Sequence, residues 1–122
     1  MIRLQILLIF IIFTFGCENS SNNKLLKQWK ADRIGCDSLR LNIVNQDFKN
    51  FENAVLGKSE NYILVKLGEP NERFNKGQTE VLTYFVEPGI QCIDKSSKEI
   101  DVLRLTLELQ NDIVQSIGKI LP

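Results

Sequence analysis

Histidine is absent from all 122 residues. That gap excludes every catalytic scheme built on imidazole: the Ser-His-Asp and Cys-His nucleophiles and the His-ligated zinc hydrolases. A net charge of either sign is missing too. Lys and Arg total 15, as do Asp and Glu, so no overall field draws in nucleic acid or acidic lipid. Nor is there a phosphate-cradling glycine loop or a cysteine cluster with metal-ligand spacing. No metal, no cofactor and no small-molecule substrate are therefore expected. What is present is ordinary for a globular chain, with 43% hydrophobic and 25% charged residues, and the length allows one domain.

The first segment, Met1 to Phe15, joins a single positive charge at Arg3 to an apolar stretch interrupted by Gln5 and Thr14. A transmembrane helix needs about 20 apolar residues, so this run is short for a span and has the layout of a secretory signal. It ends in Gly16-Cys17, which resembles a bacterial lipobox, where the cysteine is acylated and becomes the mature N-terminus. A plain secretory signal and an uncleaved anchor are the other readings. The segment divides the chain into a signal at 1–16, a lipidated Cys17 with a polar tether to residue 23, and one domain over 24–122. The two or three acyl chains of a lipoprotein cysteine meet the need for more than one chain in stable anchoring.

Three cysteines would leave one thiol over in a secreted protein. With Cys17 lipidated, Cys36 and Cys92 remain, and a bridge between them closes a loop of 56 residues in an oxidising compartment. Two separate buried thiols are the alternative.

Along the domain, Leu25, Leu26 and Trp29 share one face of a short helix over Lys24–Arg33, stopped by Gly35. Trp29 either anchors a partner or covers the edge of its own core. A second helix follows, with Asp37 or Ser38 as N-cap and a stripe at Leu41, Val44, Phe48, Phe51 and Val55. A third, short helix is capped by Ser59 and ended by Gly68 and Pro70. Asn71 to Gln78 reads as a loop entering a hairpin. The period then changes to two. Thr79–Val86, Glu99–Gln110 and Ile113–Leu121 are strands, the last two joined by an Asn111-Asp112 turn. Ile90 to Ile93 is a bulged continuation or an irregular loop. The expected fold is α+β, with two or three helices packed on one face of a three-stranded antiparallel sheet.

Gly57-x-Ser59 through Leu67-Gly68-Glu69-Pro70, then a Tyr-bearing strand and a strand-turn-strand ending, resembles the SmpA/OmlA (BamE-like) family of small outer-membrane lipoproteins. The resemblance covers Gly57 to Leu121. It implies an αα-βββ fold, a periplasm-facing lipid anchor in the outer membrane, and a part in outer-membrane assembly or maintenance. Trp29-x-x-Asp32-x-x-Gly35-Cys36-x-x-x-Arg40 and Cys92 stand outside that pattern and look like a motif of uncharacterised Bacteroidetes lipoproteins. β-Lactamase inhibitory proteins share the αα-βββ layout, so fold alone does not choose the function.

The first functional reading is a non-enzymatic lipoprotein that binds or scaffolds another envelope protein. Trp29 and the Arg73–Gly77 loop, with Arg73 and Phe74, are its candidate contacts. The second is an inhibitor or immunity-type lipoprotein presenting Trp29, Phe74 or Tyr84 to an enzyme cleft. An enzyme would rest on carboxylate pairs, Asp32 with Asp37 or Asp94 with Asp101. Arg40 and Arg104 either bind an anion or pair with neighbouring carboxylates.

Overall fold

The computed structural model describes residues 20–122; the expected signal segment and Cys17 lie outside the described residues. Helix α1 (Ser20–Ala31) buries Leu25, Leu26 and Trp29, the three residues whose spacing predicts one face. It starts ahead of Lys24 and takes in Ser20 to Asn23, the stretch expected to be tether. No glycine or proline separates those residues from the packed leucines, so a helix anchored by them extends backwards at little cost. Gly35 then reverses the chain at φ +75°, and a β-carbon there would lie 2.7 Å from the Phe85 carbonyl oxygen. Turn and close approach both demand glycine.

The stripe from Leu41 to Val55 predicts one continuous helix, but the structure breaks it at Asp47 (φ −129°) into α2 (Leu39–Gln46) and α3 (Phe48–Val55). The break lets each half turn its own face to the core. α2 buries Arg40, Ile43 and Val44, and α3 buries Phe51, Ala54 and Val55, while Leu41 and Phe48 stay half-buried. Neither Asp37 nor Ser38 caps α2 with its side chain. Ser38 is left-handed at φ 59° and makes no cap bond. Asp32, just past the end of α1, does the work: its carboxylate accepts from the N–H of Arg40 (3.1 Å), a donor the helix start leaves free, and from the N–H of Asp37 (2.9 Å) in the turn before it. α4 (Glu60–Leu67) follows its local signals, with Ser59 Oγ accepting from the Tyr62 N–H at 3.1 Å and Glu60 in the first turn.

Four antiparallel strands pair in chain order: β1 (Glu72–Lys76), β2 (Thr79–Phe85), β3 (Arg104–Gln110) and β4 (Ile113–Ile120). This corrects the expected three. The added strand, β1, falls in the stretch read as a loop because all five of its residues are exposed, so no alternation marks it. Its pairing with β2, Phe74 opposite Val81, makes it a strand. β3 begins at Arg104 rather than Glu99. Asn111 and Asp112 form the two-residue turn, both at positive φ (51° and 62°), as that hairpin geometry requires.

Register assigns the faces. Leu82 pairs with Leu107, and Tyr84 with Leu105, on the side that shares one core with Trp29, Phe51, Ile63 and Leu67. Phe74, Val81 and Phe85 belong to the opposite face with Thr106 and Glu108. The fold is α+β, four helices packing together and a four-stranded antiparallel sheet. No helix among the described residues is long and apolar enough to cross a membrane.

Candidate partner-binding surface

Cys36 and Cys92 are joined by a disulfide, with Cα atoms 5.8 Å apart. Cys36 directly follows the Gly35 turn, and Cys92 closes a 3-10 turn (Ile90–Cys92) in the segment between β2 and β3. Cys17, the expected lipid site, lies outside the described residues.

Trp29 is not a surface anchor. It is 0% exposed, stacked on Phe51 with ring centroids 4.4 Å apart and edge-on to Tyr84 at 5.9 Å. Such aromatic pairs add about 0.5–1.5 kcal/mol each beyond the area they bury. The partner-anchor reading of Trp29 gives way to the core one because four elements converge on the indole. α1 carries it, α3 and β2 supply the aromatic rings, and α2 supplies Arg40, whose guanidinium lies 5.2 Å from the Trp29 ring and 5.3 Å from Tyr84.

Arg40 is 1% exposed. Its Nε donates to the Trp29 carbonyl, and its Nη1 donates to Asn71 Oδ1 and to the Phe85 carbonyl, each at 3.0 Å. Burial pulls its pKa down to about 10, opposed by the nearby Asp32 carboxylate, so the group stays charged at neutral pH. Tyr84 donates its hydroxyl to the Gly68 carbonyl at 2.9 Å, and burial pushes its pKa well up. Arg40 thus ties α1, β2 and the α4–β1 turn together. Of the first carboxylate pair, Asp32 is buried with both oxygens on backbone N–H groups, whereas Asp37 is exposed. Asp94 and Asp101 are both exposed, and Asp94 accepts from the Ser96 N–H and hydroxyl, which holds its pKa below the usual range.

Arg73 lies on β1 among three carboxylates, Glu60 at 3.2 Å, Glu69 at 3.1 Å and Glu80 at 3.3 Å. Burial and the neighbouring Glu80 raise the pKa of Glu60, while Arg73 opposes the rise. Glu60, Glu80 and Asp112 bring ligand atoms within 4.8 Å of one another, but Arg73 already bonds two of the three. Arg104 pairs with Glu72 at 3.8 Å. Phe74 is 49% exposed, on the sheet face opposite to Leu82 and Tyr84.

The most exposed large apolar residue among those described is one the sequence reading passes over: Ile93, 87% exposed, with Ile90 beside it also exposed. Its mount is rigid. Cys92 is bridged, and Gln91, 2% exposed, donates from Nε2 to the carbonyls of Ile34 (3.2 Å) and Glu87 (2.8 Å). Nothing in the residue types marks it, since Gln91, on the other side of the bridged Cys92, is buried while Ile93 is exposed. Position matters as well. The start of α1 lies against Asp47 and Asn50 at the α2–α3 junction, whereas its end abuts Phe85 and the bridged turn. Twelve helical residues, about 18 Å, separate the two ends. No family model, curated protein or solved structure matches this chain.

Proposed function

We propose that this protein is a non-enzymatic lipoprotein of the cell envelope. In this reading Cys17 anchors it to the outer membrane, facing the periplasm, and its domain binds another envelope protein. The observation that carries the reading is Ile93, an apolar side chain held out into solvent on a turn locked by a disulfide and a buried glutamine. A preordered apolar residue binds without the entropic cost of ordering a loop, which is how contact anchors act. The turn sits at the end of α1 opposite to the tether, so an N-terminal anchor leaves it free to meet a partner. Phe74, 49% exposed on the edge strand β1, is a second contact. The disulfide supports an oxidising compartment. Against acid–base chemistry stands Asp32, whose carboxylate is occupied in capping α2. The SmpA/OmlA-like layout, and with it a role in outer-membrane assembly or maintenance, belongs to the same proposal.

A protruding, bridged turn also suits the second reading, an inhibitor of a secreted or periplasmic enzyme. One experiment separates them. A photo-crosslinking residue at position 93 or 74 should give one adduct of defined mass in the producing cells, and the same residue at Lys49, on α3, should not. Ile93→Asp should lower recovery of that partner at least tenfold and leave stability within about 0.5 kcal/mol, as is usual for an exposed site. An assembly component as partner supports scaffolding, and a soluble enzyme supports inhibition. Identical labelling from positions 93 and 49 defeats both.

The anchor has its own check. Cells grown with a clickable palmitate analogue should label the wild-type chain, and Cys17→Ser should abolish the label. Labelling that survives the substitution removes the lipoprotein from the proposal.

A further inference from the structure

Between the end of α1 and the α4–β1 turn lies a cleft of about 500 Å³, within the range of small-ligand sites. Three cations line it: Lys30, Arg33 and Arg40. Their charge is poorly matched from inside the protein. Lys30 Nζ donates to the Val65 carbonyl, an uncharged acceptor, at 3.0 Å. Arg33 is exposed and forms no ion pair among the described residues. The carboxylate in the cleft wall, Glu69, is paired with Arg73 at 3.1 Å. Arg40 matters most, because it is 1% exposed and desolvated. Its three hydrogen bonds come from Nε and Nη1, and Nη2 has no acceptor among the described residues. Asp32 attracts it at short range, yet both carboxylate oxygens serve backbone N–H groups instead. A buried guanidinium with an unused donor at the wall of a cleft favours an anion there. The remaining wall includes half-buried Pro70, which gives the site an apolar side, while Leu67 borders it from the core at 1% exposure.

We infer that this cleft binds a carboxylate attached to a small apolar group, with Arg40 Nη2 and Arg33 holding the carboxylate and Pro70 covering the apolar part. A planar carboxylate matches a guanidinium edge. A phosphate monoester is a poorer fit, since it brings a second charge, needs donors around three oxygens, and makes no use of the apolar wall. Two sources supply this chemistry: a free organic acid, or the carboxy-terminal residue of a polypeptide. The inference is independent of the Ile93 surface, which lies on another segment.

The chain's single tryptophan reports on the site, because Arg40 lies 5.2 Å from the Trp29 ring. The full chain in detergent is titrated with N-acetyl-leucine, N-acetyl-leucinamide, acetate and inorganic phosphate, following tryptophan fluorescence. N-Acetyl-leucine should bind saturably. The amide, which lacks the charge, and acetate, which lacks the apolar group, should each bind at least tenfold more weakly. Arg33→Gln changes an exposed side chain and keeps the Arg33 carbonyl that accepts from Asn71 Nδ2 at 2.8 Å, so it should weaken N-acetyl-leucine at least tenfold with unchanged circular dichroism. A hexapeptide ending in a free leucine carboxylate sorts the sources. Binding as tight as N-acetyl-leucine assigns the site to a chain end, and binding tenfold weaker assigns it to a free acid. Equal binding of acid and amide, phosphate binding as tightly as N-acetyl-leucine, or no saturable response to N-acetyl-leucine overturns the inference.

Discussion

Arg40→Met should cost the domain about 3–5 kcal/mol, the range for removing one partner from a buried charged network. Methionine fills much of the volume, so the loss reports on polarity rather than on a cavity. The Trp29 and Phe85 carbonyls and Asn71 Oδ1 each lose a donor at 3.0 Å, and the Asp32 carboxylate is left buried without its neighbouring cation. At about 4 °C or more per kcal/mol for a domain of this size, the melting temperature should fall by more than ~10 °C. Arg40→Lys should recover only part of this, because an ammonium cannot reproduce a fork that spans α1, β2 and the α4–β1 turn. Denaturant melts of the three proteins decide the matter. A methionine variant within 1 kcal/mol of wild type would mean that Arg40 contributes no net stability and that the fold rests on its aromatic core alone.

Loss of the disulfide should be comparable and should reach the binding surface as well. Closing a loop of 56 residues removes about 4 kcal/mol of unfolded-state entropy in the chain-entropy model, a large share of the stability of a small domain. Cys36→Ser with Cys92→Ser should therefore lower the denaturation midpoint to match, and reduction of the wild type should reproduce the shift. The turn carrying Ile93 loses its covalent tie and keeps the Gln91 bonds to Ile34 and Glu87, so amide exchange there should accelerate before the sheet opens. If crosslinking from position 93 survives removal of the disulfide at undiminished yield, rigid mounting is not what makes Ile93 a contact.

The legible parts of the chain are those whose physics is local. The Ser59 cap, the glycine exit at Gly68 and the paired positive φ values of Asn111 and Asp112 each involve neighbours within a few residues, and the residue types announce them. The alternation Leu105, Leu107, Leu109 is legible for the same reason, since a pleat points every second side chain the same way. The Cys36–Cys92 pairing spans 56 residues, yet counting the cysteines was enough to suggest it.

What needed the tertiary structure is everything decided by distant partners. β1 is a strand only because β2 offers it hydrogen bonds, and its five exposed residues carry no period of their own. The helical stripe through Leu41 and Val55 looks continuous, but packing against α1 favours two faces and splits it at Asp47. Asp32 and Arg40 read as surface charges or a catalytic acid and an anion site. Their burial follows from contacts with Asp37, Asn71 and Phe85, and a charge is tolerated in a core only where such partners are brought to it. Trp29 is decided for the same reason, its indole enclosed by rings and a guanidinium from α3, β2 and α2, and the exposure of Ile93 beside the bridged Cys92 shows only once the chain is folded.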